Sequence, residues 1–529
     1  MQGKEDTGGL PNAVVDVLRS RYLVGADVRA GGRWFELAHD RLIEPIRESN
    51  GAWREAHLQA FQRQAERWHI EGRPARLLLD ARALGEAEGW AADHDDELID
   101  EERAFLAASG EAQSLAQEQA RQAEVRTNLA DTGWAVIFAA GDRLADARRL
   151  ALAELLDHRR SQATEKNEKY YQELSYLGGD DDRQPETAQE FLARHGAGAS
   201  IASPERMPYY LLIVADPESI PYEFQYDLDV QYAVGRLHFE RLEEYAQYAR
   251  SVVTAEGGTF SLPPQAAIFG PRNAENRAMG TVMNYLVRPV SERLPLRQPD
   301  WTLEPVLGEG AIKARLGQLL GGAETPTLLF TATYGLGLPE GHDRQLAEQG
   351  ALLCQEWPGG DDPHEEIPKD FYFSAEDVAG DARLLGLMAF LLTNFSAGTP
   401  RLDDFAHQTF QEPQSIAPQA FVACLPQRLL GHPKGGALAV VGHVERAWTT
   451  SFVSEGGRVE ESGLFESVLS RLMQGHTVGS AMELFNQRYA QLSSRLAEEL
   501  QEVVFFNRGR DRAKLATLMT QVVDARNYV

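Results

Sequence analysis

The chain has 529 residues, 43% of them hydrophobic and 25% charged, so it exceeds what a single core can organise and most of it is expected to fold, as two or three domains. A formal net charge of −27 gives the surface a negative potential, which repels nucleic-acid phosphates and anionic lipid heads and favours a basic peptide or an arginine-bearing substrate. Two cysteines, Cys354 and Cys424, exclude a disulfide framework; with no export signature in the opening residues and no apolar run of about 18 residues, a cytoplasmic protein without a membrane span is expected.

In chain order, Asn12 to Arg21 reads as a short helix with Val14, Val15 and Leu18 on one face. Two short strands follow, Tyr22-Leu23-Val24 and Trp34-Phe35-Glu36-Leu37, punctuated by Gly31-Gly32. A helix with a small hairpin is the pattern of a winged-helix module, assigned to residues 1–50. The segment WFELAHDRLIEPI, Trp34 to Ile46, resembles the end of the winged-helix part that follows the ATPase in bacterial STAND-type NTPases. No GxxxxGK[ST] phosphate loop occurs in this sequence, and His39 and Asp40 read as hydrogen-bonding residues that fix the module's corner. Residues 51–130 turn to Ala, Glu, Gln, Arg and Leu, with Leu77, Leu84, Leu98 and Phe105 at helical intervals, which predicts two or three packed helices. The STAND resemblance continues through ERAFLAAS, Glu102 to Ser109, and a polar helix from Glu111 to Asn128 connects to the second half.

From residue 131 the texture changes. Trp134 to Ala140 is a short continuous apolar run, and the same signature recurs at Tyr209–Val214, Ala266–Phe269, Thr327–Thr331, Gly386–Thr393 and Ala437–Val441. Helical segments such as Leu242–Val253, Ala311–Leu320 and Gly463–Met473 lie between or after these runs. Apolar strands alternating with helices predict an α/β domain over 131–529, a mainly parallel sheet with helices on both faces. Thr164–Glu190, Thr259–Pro264 and Pro358–Pro368 read as exposed loops.

In such a sheet the informative residues follow the strands' carboxyl ends. Two tips stand out: Thr331-Ala332-Thr333-Tyr334-Gly335 and Thr393-Asn394-Phe395-Ser396-Ala397-Gly398. Together with PYYLLIVADPESIPYEFQY (Pro208 to Tyr226), YAVGRLHF (Tyr232 to Phe239) and LLGHPKGGALAVVGHVERAW (Leu429 to Trp448), they resemble peptidases of the caspase, gingipain and CHAT group. Those enzymes carry His-Gly after one central strand and Cys after the next. The resemblance covers about three quarters of the chain and implies a caspase-like fold whose catalytic positions hold Tyr334 and Asn394. A thiolate attacks a carbonyl and the His delivers a proton to the leaving amine. An Asn amide does neither, and a Tyr with its ordinary pKa of roughly 10 is a poor acid/base at neutral pH.

Four other residues could in principle supply a nucleophile or its base. Ser396 reads as a backbone-capping hydroxyl, His443 as structural, and Cys354 and Cys424 as packed apolar residues. Within the resemblance, Asp403, Asp404, His443 and Glu445 fall on loops that flank a substrate pocket. Their carboxylates read either as a capping or solvated face, or as a site that pairs with an arginine guanidinium. No metal or other cofactor is expected: His432 and His443, and the pair His342 and His364, lack ligand spacing, and Gly335–Gly337 and Gly435-Gly436 open no phosphate-binding helix.

Three readings follow. The first is a pseudo-peptidase serving as a binding or scaffolding component in bacterial signalling or defence, with a protein or peptide partner bearing basic residues. The second is an active cysteine peptidase cleaving after basic residues, with its dyad elsewhere or replaced. The third makes the N-terminal module a DNA-binding end, although its arginines are offset by carboxylates. DARNYV, Asp524 to Val529, resembles the start of the family's final strand, which would normally continue.

Overall fold

A computed structural model describes residues 6–7, 10–29, 32–46, 49, 57–73, 77–94, 97–179, 184–198, 203–258, 260, 262–360, 366–408, 412–449, 452–453, 462–506 and 512–528. It divides into two compact units, Met1–Gln122 and Ala123–Val529. Within the segments named above, Gly31, Asp180 to Asp182, Thr259, His364 and Val529 lie outside the described residues.

After a two-residue antiparallel ladder of Asp6–Thr7 with Leu10–Pro11, the first unit continues with α1 (Asn12–Ser20) and an antiparallel hairpin of β1 (Val24–Arg29) and β2 (Gly32–Leu37), paired from Val24 with Leu37 to Arg29 with Gly32. Tyr22, expected in the first strand, instead closes the helix. It takes a left-handed conformation (φ 60°), and the amides of Tyr22 and Leu23 reach back to the carbonyls of Arg19 and Leu18, each at 3.0 Å. That is a Schellman-type C-cap with tyrosine in the position glycine usually takes. Three helices follow: α2 (Ala60–Ile70), α3 (Ala81–Asp93) and α4 (Asp100–Arg126). Phe61, Ala65, Trp68, Leu84 and Phe105 recur on their inner faces and form one core. Asp80 starts α3 by accepting the Ala83 amide at 2.8 Å, an N-cap worth about 1 kcal/mol.

The second unit holds two all-parallel sheets where the sequence pattern suggested one. The first runs β4-β3-β5-β6, from β3 (Trp134–Ala139), β4 (Tyr171–Tyr176), β5 (Tyr210–Val214) and β6 (Ala233–Leu237). The second runs β8-β7-β9-β10-β11, from β7 (Gln265–Gly270), β8 (Thr302–Leu307), β9 (Leu328–Ala332), β10 (Met388–Leu392) and β11 (Ala439–Gly442). Each sheet places its second strand in chain order outside the first and its third and fourth on the other side, so both share one winding plan. Strand β4 and a helix at Ala188–Arg194 occupy part of the stretch expected to be loop. β4 lies at the sheet edge, where only Leu174 and Tyr176 are buried, and this polar alternation hid it from an apolar-run criterion.

In the second sheet, period-two alternation divides the apolar residues between the faces. Phe330 and Phe390 point to one side, where they meet Phe465 of α5 (Gly463–Met473) and Phe485 of α6 (Val478–Phe506). Leu329, Leu391 and Phe269 point to the other, against Leu316 and Leu319. No helix among the described residues is long and apolar enough to cross a membrane. Phe390 is 1% exposed and its ring lies 5.5 Å from that of Phe330. Phe390→Ala is therefore expected to cost about 3–5 kcal/mol in denaturant unfolding; a loss below about 1 kcal/mol would show that this face is not the core it appears in the structure.

Candidate functional site

Parallel pairing of β9 with β10, Leu328 opposite Met388 through Ala332 opposite Leu392, carries the two tips out of the sheet side by side. The ladder extends one step further: the Thr333 amide donates to Leu392 O (3.2 Å) and the hydroxyls of Thr333 and Thr393 lie 3.0 Å apart. Tyr334 and Asn394 come next on adjacent tips. The backbone after Tyr334 passes so close to the other tip that a Cβ at Gly335 would sit 2.1 Å from Asn394 O, so only glycine fits there.

The two side chains are engaged separately. Tyr334 is 36% exposed, and its ring lies against Trp357 at a centroid distance of 5.3 Å. Trp357 is fixed by Asn273 beyond β7, whose side-chain amide donates to the carbonyls of Cys354 and Trp357. The loop Cys354–Trp357 thereby lies over the point between β7 and β9 where the winding reverses, the usual ligand crevice of such sheets. Asn394 is half-buried and its Oδ1 accepts the Ala447 amide at 2.9 Å, tying its tip to the loop after β11.

That loop also contains His443 and Glu445, and it packs against the β10 tip. Phe395 (φ 59°) and Glu445 (φ 68°) both hold left-handed backbone, costing about 1–2 kcal/mol each, and are joined directly by the Phe395 amide to Glu445 O at 2.6 Å. Ser396 is 1% exposed; its hydroxyl lies 2.7 Å from Leu391 O and 2.8 Å from Thr393 O, and accepts the His443 amide at 3.0 Å. It closes the turn as a capping group and has no open face. His443 is fully buried, with Nε2 3.1 Å from Asp524 O and 3.4 Å from the Asp524 carboxylate, and its ring stands edge-on to Tyr528. Neither thiol is poised to react. Burial pushes Cys354 far up, and Cys424 is raised by burial too.

Asp403, Asp404 and Glu445 do come together, and the chain's own arginines fill the space between them. Glu445 Oε2 accepts the Asp404 amide (2.7 Å), and Glu445 Oε1 accepts Arg446 Nε (2.9 Å). The Arg446 guanidinium also pairs with Asp403, Arg526 pairs with Asp404 at 3.1 Å, and Arg446 lies over the Phe405 ring. Arg446, Arg526, Asp524 and Asn527 were not foreseen. Arg446 follows Glu445 directly and was a visible signal, whereas Asp524 to Tyr528 arrive from the far end of the chain. Val444 donates to Asn527 O (2.8 Å), Trp448 donates to Asp524 Oδ1 (2.6 Å), and His443 bridges antiparallel to Tyr528, so this segment runs beside the extension of β11.

Burial pushes the Glu445 carboxyl up to about 7, against the pull of Arg446. Burial opposes charge on His443 as well, but the hydrogen bond and charge of Asp524 outweigh it and raise the imidazole above its ordinary value. For both groups the folded pKa exceeds the unfolded one. The buried acid destabilises the fold progressively as pH passes from the ordinary carboxylate range through about 7, and the His443 contribution, full below its unfolded pKa, is lost as pH rises through its folded value. The melting temperature is expected to fall between about pH 5 and about pH 8, and Glu445→Gln to flatten that slope by an amount worth roughly 1–3 kcal/mol. A melting temperature that climbs over this interval, or a slope untouched by the substitution, contradicts the assignment.

No protein-family model and no curated protein matches the chain. Among solved structures it is similar to the Arg-specific cysteine proteinase gingipain R, at 11% identity and a TM-score of 0.39, over 67% of this chain and 72% of that one. It is also similar to a complex of the pro- and mature domains of RgpB from Porphyromonas gingivalis, at 10% identity and a TM-score of 0.38, over 75% and 78%. A structure described as a protease matches at 10% identity and a TM-score of 0.40, over 68% and 72%.

Proposed function

We propose that the second unit is a caspase-like domain of the gingipain and CHAT kind in which the peptidase dyad has given way to Tyr334 and Asn394, and that it acts by binding a protein or peptide. The observation that carries this reading is the commitment of the candidate groups at the strand tips and of the two thiols away from them. Tyr334 packs on Trp357, Asn394 holds the Ala447 amide, Ser396 caps its own turn, and both thiols are pushed towards their protonated forms. Nucleophilic attack needs a thiolate or an activated hydroxyl beside a base, and none of these groups is so placed. The helix and hairpin of the first unit, with its STAND-like segment, favour a role in bacterial signalling or defence.

The direct test is turnover. Purified full-length protein is expected to leave arginyl and lysyl peptide substrates intact at neutral pH, and an alkylating thiol probe to label neither cysteine until the protein is unfolded. Cleavage that disappears on Ser396→Ala, Cys354→Ser or Cys424→Ser would establish the hydrolase instead. The double substitution Tyr334→His with Asn394→Cys is expected to create a cysteine that the same probe labels in the native state, because the two tips are already adjacent.

A further inference from the structure

Away from the strand tips, the edge strands of the two sheets face one another. Among the described residues β6 pairs only with β5 and β11 only with β10 along their lengths, and a cavity of about 770 Å³ lies between them. Val234 to Leu237 line it from one side and Ala439 to Val441 from the other. Its volume is that of a ligand site, far beyond the voids that close packing leaves in an interior.

Three features define what fits. Strand residues that a parallel sheet normally buries are only half-buried here: Leu212, Val234, Met388, Ala439 and Val440 all line this space. The backbone offers a second element. Ala233 donates to Tyr209 O on the β5 side, and beyond β11 His443 O accepts the Ala397 amide on the β10 side while Val444 donates the other way to Asn527 O, so by alternation the peptide groups of Arg236 and Val440 point into the cleft. The adjacent outward amide, that of Val234, is already taken by Asp229 Oδ1 at 3.1 Å. Thirdly, Gly235 is exposed in the middle of β6, and a Cβ there would meet only Leu212 Cδ1 at 3.8 Å. Internal packing does not require glycine, which suits the close approach of another backbone.

The charged groups argue against a fatty acid or other apolar anion. Arg159 is held by Glu256 through two contacts of 2.6 Å, and Arg236 by Gln225 Oε1 at 2.9 Å and the carbonyls of Ala215 and Pro221 at 3.2 Å. Both guanidinium groups are engaged within the protein, leaving neither to anchor a carboxylate.

We propose that this cleft binds an extended segment of a partner protein as an added strand, with alternate apolar side chains against the half-buried wall and basic residues at its flanks, matching the net charge of −27. The cleft excludes Tyr334 and Asn394, so this inference stands or falls apart from the loss of peptidase chemistry.

The test uses full-length protein and a fluorescein-labelled peptide, KKVTVTVTKK, with KKVPVTVPKK as its strand-broken counterpart. Saturable anisotropy is expected for the first, weakened about tenfold or more by the prolines and by either Gly235→Trp or Val440→Trp, each of which fills the cleft. Melting temperatures identify which variant is folded, and the comparison rests on that one. No binding of the alternating peptide, equal binding of the proline peptide, or undiminished binding by the folded variant overturns the proposal. Saturable uptake of a fluorescent fatty acid, lost in the same variant and not competed by the peptide, overturns it in favour of a lipid.

Discussion

Parallel hydrogen bonding between β9 and β10 is the constraint on which the strand-tip architecture depends. Once Ala332 stands opposite Leu392, the residues that follow leave the sheet at the same level, and the separation along the chain ceases to matter. Register is held from both faces by the alternation that sends Phe330 and Phe390 to one core and Leu329 and Leu391 to the other; a slip of one residue would exchange them. The nearness of Tyr334 to Asn394 is thus a property of the sheet and needs no direct attraction between the two side chains.

Around those tips the chain accepts local strain and offsets it with hydrogen bonds. Phe395 and Glu445 both occupy left-handed backbone, and Gly335 and Gly350 admit carbonyl oxygens where a Cβ would stand 2.1 Å and 2.2 Å away. Ser396, Asn394 and Asp524 each take backbone amides that the sharp turns leave without a ladder partner. The carboxylates of Asp403, Asp404 and Glu445 serve the same end through Arg446 and Arg526. A group of acids that looked open to a foreign guanidinium is knitted together by domestic ones.

The sequence was most legible where one physical effect dominated. Buried parallel strands announce themselves as unbroken apolar runs, so β3, β5, β9 and β10 and the tips beyond them could be placed without coordinates. It was least legible where context decides. β4 is a polar edge strand, and Tyr22 reads as a strand residue but becomes a helix cap because the chain must reverse there. The division of the strands between two sheets left no periodic trace, since both sheets are made of the same kind of segment. The pairing of His443 with Asp524 joins positions too far apart for any local pattern to reveal.

The shared winding plan bears on how the molecule comes to exist. All strands of the first sheet fall within residues 134–237 and all those of the second within 265–442, so neither interleaves with the other along the chain. Loop-closure entropy for the first sheet is therefore met by contacts within its own stretch, and a growing polypeptide can complete that layer while the second is still being synthesised. The open space lies at the join between these two layers and not within either one.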